Sequence, residues 1–127
     1  MGLADRLIDQ TFANAGKEDE RERSAMTIGA LKAIGGEQIR SVVLVDNGFA
    51  GLKLVTLTTR NLSIIDQFGD VSNLHALSEI VKISHSWGIL TITYELPSGD
   101  ELQHRFNLAD KDSVYDLENE FGEIGGR

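Results

Sequence analysis

The chain has 127 residues, 41% of them hydrophobic and 25% charged, with a formal net charge of −8, which suits one globular domain with room for a short extension. The absence of Cys excludes disulfides, cysteine-bound zinc and a thiol nucleophile, and fits a reducing, cytoplasmic setting. The acidic balance argues against nucleic acid and anionic lipid as partners, because both require a positive field, and no apolar run approaches the ~20 residues of a membrane span.

Met1–Asn14 has no signal-peptide core. Within Gly2–Ala15, the residues Leu3, Leu7, Ile8 and Phe12 fall on one helical stripe, and Gly16 is placed to end the helix. A helix this short is marginal alone in water, so the stripe must meet either its own domain or another copy. Leu3, Leu7 and Phe12 are therefore candidate partner contacts. Lys17–Arg23, KEDERER, reads as a solvated helix face or a linker. Ala25, Ile28, Leu31 and Ile34 then continue a helical pattern that Gly35-Gly36 stops. This predicts two helices, or one broken helix, as an N-terminal extension over 1–35.

The β region, 36–127, follows. In Ile39–Val45 the parity places Ile39, Val43 and Val45 on one face and Val42 and Leu44 on the other, as in a strand covered on both sides. Asp46-Asn47-Gly48 is a short-range hairpin signal. Gly51–Thr59 and Asn61–Asp66 read as the next strands, Gly69-Asp70 as a turn, and Asn73–Leu77 as a short strand before a turn at Leu77-Ser78-Glu79. Val81–His85 pairs with Gly88–Leu96 through Ser86-Trp87-Gly88. In that strand Leu90, Ile92, Tyr94 and Leu96 share a face, and in the next Leu102, His104, Phe106 and Leu108 do, with Pro97–Asp100 as the turn between them. Asp110 or Asp112 can cap a closing helix whose Val114, Leu117, Phe121 and Ile124 recur at spacings of three and four. With about seven short antiparallel strands and no βαβ alternation, the pattern argues against a parallel α/β sheet.

Thr58-Thr59-Arg60 before the apolar Leu62–Asp66, then Gly69-Asp70, then Leu74–Ile80 and a hairpin into a C-terminal helix, resembles the bacterial pleckstrin-homology (PH)-like domains. The Gly35-Gly36-Glu37 entry to the first strand is similar too. The resemblance spans Gly36 to about Gly122. It implies a mainly β (α+β) fold: a PH-like, partly open barrel of about seven antiparallel strands capped by the C-terminal helix. The N-terminal helical extension lies outside it.

Candidate chemistry is sparse. Phosphoinositide binding, the activity most associated with eukaryotic PH domains, needs a basic cluster on the first two strands, where only Arg40 and Lys53 stand. Neither lipid nor membrane binding is expected. His75, His85 and His104 lie on separate segments without metal-ligand spacing, so no metal and no cofactor is expected. His104, between Leu102 and Phe106 on the apolar face, reads as a core or rim histidine and a pH-sensitive point. The six acids between Asp110 and Glu123, against Lys111, give the closing helix a net −5 outer face. Trp87, in a turn, either covers the barrel end or anchors a partner. With no catalytic constellation present, the expected function is a non-catalytic interaction or assembly module, binding a protein partner or itself. The alternative is a small-molecule or peptide binder using the barrel end or the groove beside the C-terminal helix.

Overall fold

The charged run KEDERER marks a break between two helices. A computed structural model describes residues 2–17 and 19–125; Met1, Glu18 and the last two residues of the 36–127 segment lie outside them. Helix α1 spans Leu3–Asn14 and α2 spans Glu20–Ile34. Asp19 caps α2, its Oδ1 accepting the Glu22 N–H at 3.1 Å, and Glu20 and Glu22 place negative charge in the first turn, where the helix dipole favours it. Gly35, at φ 58°, ends α2 in the left-handed conformation. At the junction Lys17 pairs with Asp46 at 3.1 Å, and that hydrogen bond, with a second from the Gly48 N–H, holds the Asp46 carboxyl below the usual carboxylate range.

Seven strands follow: β1 Ile39–Asp46, β2 Leu52–Thr58, β3 Asn61–Asp66, β4 Val71–Ala76, β5 Ile80–Ser86, β6 Ile89–Glu95 and β7 Glu101–Asn107, before helix α3, Ser113–Gly125. They form two antiparallel sheets in the orders β1-β2-β3-β4 and β5-β6-β7. The sheets touch at a bridge between Val45 and Leu108, backed by the Ala109 N–H donating to the Leu44 carbonyl at 3.1 Å. The barrel is not closed. Two sheets of four and three strands with a C-terminal helix between them are the PH-like arrangement that the resemblance implies.

The first sheet is apolar on both faces because both are covered. Val43, Val45, Val55, Leu57, Leu62 and Ile64 turn inward to meet Ile80, Ile83, Leu90, Ile92 and Phe106 of the second sheet. On the outer face Val42, Leu44, Leu52, Leu54 and Ile65 pack under Ile8 and Phe12 of α1 and Met26, Ala30 and Ile34 of α2. The N-terminal helices thus share a core with the sheet. Ile39 departs from its parity. The register shifts between Ile39 and Ser41, and this bulge moves Ile39 to the helix side with Val42 and Leu44. Asp46-Asn47-Gly48 also departs from a tight hairpin. Asp46 pairs with Leu52, so the loop is longer and carries a 3-10 turn at Gly48–Ala50.

Helix α3 fills the gap between β1 and β5 as its stripe predicts, with Val114, Leu117 and Phe121 buried in the inner core and Ile124 packed beside it. Asp110 holds the turn before it. This buried carboxylate accepts the Asp112 N–H at 3.0 Å and a hydrogen bond from the Ser113 hydroxyl. The acids of α3 are only in part a solvated face. Glu120 and Glu123 pair with Arg40 of β1 at 2.7 and 3.3 Å, Asp116 accepts from the Ser41 hydroxyl at 3.1 Å, and Glu118 bonds the His85 ring. Four acids expected to face solvent thus fasten the helix across the two sheets, and the net −5 outer face is correspondingly reduced.

Candidate functional site

The β5–β6 hairpin closes with Ser86 paired to Ile89, leaving Trp87-Gly88 as its two central residues. Both have positive φ, 56° at Trp87 and 75° at Gly88, the pattern of a type I′ turn, which normally takes Asn-Gly or Gly-Gly. Trp87 is the one non-glycine with positive φ among the described residues. Left-handed backbone costs an L-residue about 1–2 kcal/mol, and a bulky side chain there is an outlier. Its indole recovers nothing by packing, since Trp87 is 99% exposed. The reading in which it covers the barrel end is therefore corrected: the indole stands in solvent.

Beside this turn lies a cleft of about 340 Å³ lined by His85, Trp87, Gly88, Leu108, Lys111 and Tyr115. Tyr115, just before Asp116 at the start of α3, is 58% exposed and meets the His85 ring edge-on, with centroids 4.8 Å apart and planes at 87°. The His85–Glu118 bond holds that imidazole in place from the other side. The result is an exposed aromatic surface of Trp87 and Tyr115 with Lys111 at its edge. Such a surface suits recognition: Trp and Tyr offer large contact area with few rotatable bonds, and tend to carry binding energy.

The four candidate contacts part company. Phe12 is 1% exposed in the helix–sheet core, and Leu7 is partly buried against it, so the expectation that these two meet a partner is corrected: α1 spends that side of its stripe on the first sheet. Leu3, 57% exposed, and Trp87 remain on the surface, on α1 and on the tip of the second sheet respectively. Tyr115 adds to the expected contacts, and its one signal in the sequence is an aromatic residue off the apolar stripe of an amphipathic helix. Phe49 and Phe68, 112% and 74% exposed in the β1–β2 and β3–β4 connections, are further surface aromatics.

A second cluster lies at the barrel rim. His75 of β4 and His104 of β7 approach with Nε2 atoms 2.9 Å apart. His75 Nδ1 is 3.4 Å from Glu79 Oε2. The Tyr94 ring lies 4.3 Å from that of His75 and stacks on His104 at 4.7 Å, with Phe106 beyond. Burial, followed by the proximity of His75 and of Lys53, lowers the His104 pKa below its ordinary value. Two imidazoles fall short of the three protein ligands of a catalytic zinc site, and no group of three or more metal-binding side chains occurs among the described residues. Of the basic residues considered for phosphate, Arg40 is paired with Glu120 and Glu123. No helix among the described residues is long and apolar enough to cross a membrane.

No protein-family model matches the chain, and no curated protein gives a significant sequence match. Solved structures do. The chain is similar to the MyTH4-FERM MF2 domain of Dictyostelium discoideum myosin VII, at 9% identity and a TM-score of 0.51 over 68% of this chain and 16% of that one. A mutant of the same domain gives 10% identity and a TM-score of 0.51 over 72% and 17%. A PH domain from TgAPH is 12% identical, with a TM-score of 0.45 over 84% and 93% of the two chains. The chain spans about one-sixth of the length of the myosin structures, and the likeness is one of fold. The fold is thus PH-like, two antiparallel sheets of four and three strands with a C-terminal helix, preceded by two N-terminal helices.

Proposed function

We propose that this chain is a non-catalytic interaction module of a reducing cytoplasm, akin to the bacterial PH-like domains, that binds a protein partner through the Trp87–Tyr115 surface. One observation carries the reading: the only tryptophan of the chain sits fully exposed in a left-handed turn position. It costs stability there and contributes nothing to the core. Strain of this kind persists where function uses it. The partner is expected to present a cationic rim around an apolar anchor, because a net charge of −8 steers positively charged surfaces toward the chain and repels acidic ones. Self-association through the same aromatic surface is the competing outcome.

Trp87→Gly separates binding from stability. Glycine relieves the left-handed strain, so the variant is expected to be as stable as the parent or more stable by about 1 kcal/mol. Its partner affinity is expected to fall by about 2 kcal/mol or more, as for a hot-spot residue. A photo-crosslinker in place of Tyr115, in cells producing the full chain, reads the binding side. A discrete adduct with another protein, lost in Trp87→Gly, is the expected result. An adduct of two copies of this chain would assign the surface to self-association. No Trp87-dependent adduct, or a Trp87→Gly chain that unfolds, would reject the reading.

A further inference from the structure

The rim cluster has a property independent of the Trp87 surface. His75 and His104 come from the two different sheets, 29 residues apart in sequence. Their ring centroids are 5.2 Å apart while their Nε2 atoms are 2.9 Å apart, so the rings meet nitrogen to nitrogen and not face to face. This geometry is a hydrogen bond only when one proton lies between the two nitrogens. His75 Nδ1 donates toward Glu79, so a neutral His75 has a bare Nε2 that accepts from His104. A first added proton is tolerated: a charged His75 donates from Nδ1 to Glu79 and from Nε2 to His104. A second added proton puts N–H on both facing nitrogens and two positive charges within contact distance, and the bond cannot survive. The groups around the pair give the second charge no relief. Glu79 already faces His75, Lys53 of β2 adds positive charge near His104, Tyr94 of β6 and Phe106 of β7 supply aromatic faces, and the β3 residue paired with His75 is Leu62.

We infer that His75 and His104 form a proton-operated latch between the two sheets, closed at neutral pH and opened in mild acid, when both rings are charged and β4 parts from β7 at the rim. The pH window follows from His104. Its folded-state pKa lies below the ordinary value of 6.5, so the folded state favours its neutral form. That contribution is complete above the unfolded pKa and is lost as pH falls through the lower folded value. Asp46, whose carboxyl pKa is also lowered, acts only further down, in the carboxylate range.

Ring-resolved NMR titration of the intact chain tests the latch without any substitution. The expected result is that His104 takes its proton below the ordinary histidine range, with amide protection of β4 and β7 falling in the same step. His104→Gln keeps an N–H donor for His75 but cannot titrate. It is expected to flatten the fall in melting temperature between pH 7 and pH 5, while His85, paired elsewhere with Glu118, is unaffected. His75→Gln is expected to raise the His104 midpoint. A His104 titration at the ordinary value, unchanged by His75→Gln, or β4 and β7 protection that does not follow it, would overturn the inference.

Discussion

Alanine at position 29 is expected to destabilise this protein by about 3 kcal/mol, although glycine-to-alanine changes inside helices ordinarily stabilise by about 0.8–1 kcal/mol. The reason is a backbone-to-backbone contact. A Cβ on Gly29 of α2 would lie 2.0 Å from the Gly69 carbonyl oxygen and 2.9 Å from its Cα. From the other side, a Cβ on Gly69, itself at φ +90°, would meet the Ala25 carbonyl oxygen at 2.4 Å. No flexible side-chain tip is involved that could swing aside, so α2 must lift from the β3–β4 turn. Lifting it withdraws Met26, Ala30 and Ile34 from the outer core. Gly122 is the control: it lies in α3 with no atom within 4 Å of an added Cβ, and Gly122→Ala should stabilise by about 0.5–1 kcal/mol. Urea unfolding that moves both variants in the same direction would show that α2 does not sit this close.

Phe12→Ala is expected to cost about 3–5 kcal/mol, the range for emptying a buried aromatic site and a large part of a typical net stability of about 5–15 kcal/mol. Leu3→Ala, on the same helix but 57% exposed, should stay within about 0.5 kcal/mol. The contrast separates an α1 that seals the first sheet from an α1 that waits for a partner. A loss below about 1 kcal/mol at Phe12, measured by denaturant midpoint, would favour the second. The same burial has a practical consequence. A chain beginning at Gly35 exposes Val42, Leu44, Leu52, Leu54 and Ile65, an apolar face expected to associate in water. Oligomers of that truncated chain would therefore report lost cover, not native assembly.

Several elements were legible in the residues because their causes are local. The β6–β7 hairpin follows from alternation on either side of Pro97–Asp100, and α3 from the three-and-four recurrence of Val114, Leu117 and Phe121, all buried as expected. The continuous apolar run of β1 correctly implied cover on both faces. What parity could not foresee was the bulge between Ile39 and Ser41, which moves Ile39 to the other side. A bulge depends on how β1 meets Thr58 and Leu57 of β2, and a single-strand pattern holds no record of that.

The candidate site was less legible, for the same reason at longer range. Trp87-Gly88 could be seen as a turn, but the left-handed backbone of Trp87 and the exposure of its indole appear only once β5 and β6 are paired. Arg40, Ser41 and His85 meet acids of α3 that lie 80, 75 and 33 residues away, so acids that read as a wet helix face serve as fasteners. The His75–His104 contact exists only because one sheet is folded over the other. By itself, then, the sequence determined the strand and helix inventory and the absence of cysteine chemistry. These are properties of composition and short-range period. The tertiary structure alone decided which apolar stripe is spent on the core, which aromatic residues stay on the surface, and which charges and imidazoles meet. Those outcomes depend on which surfaces compete for the same burial, and that competition is settled only when the two sheets and three helices pack together.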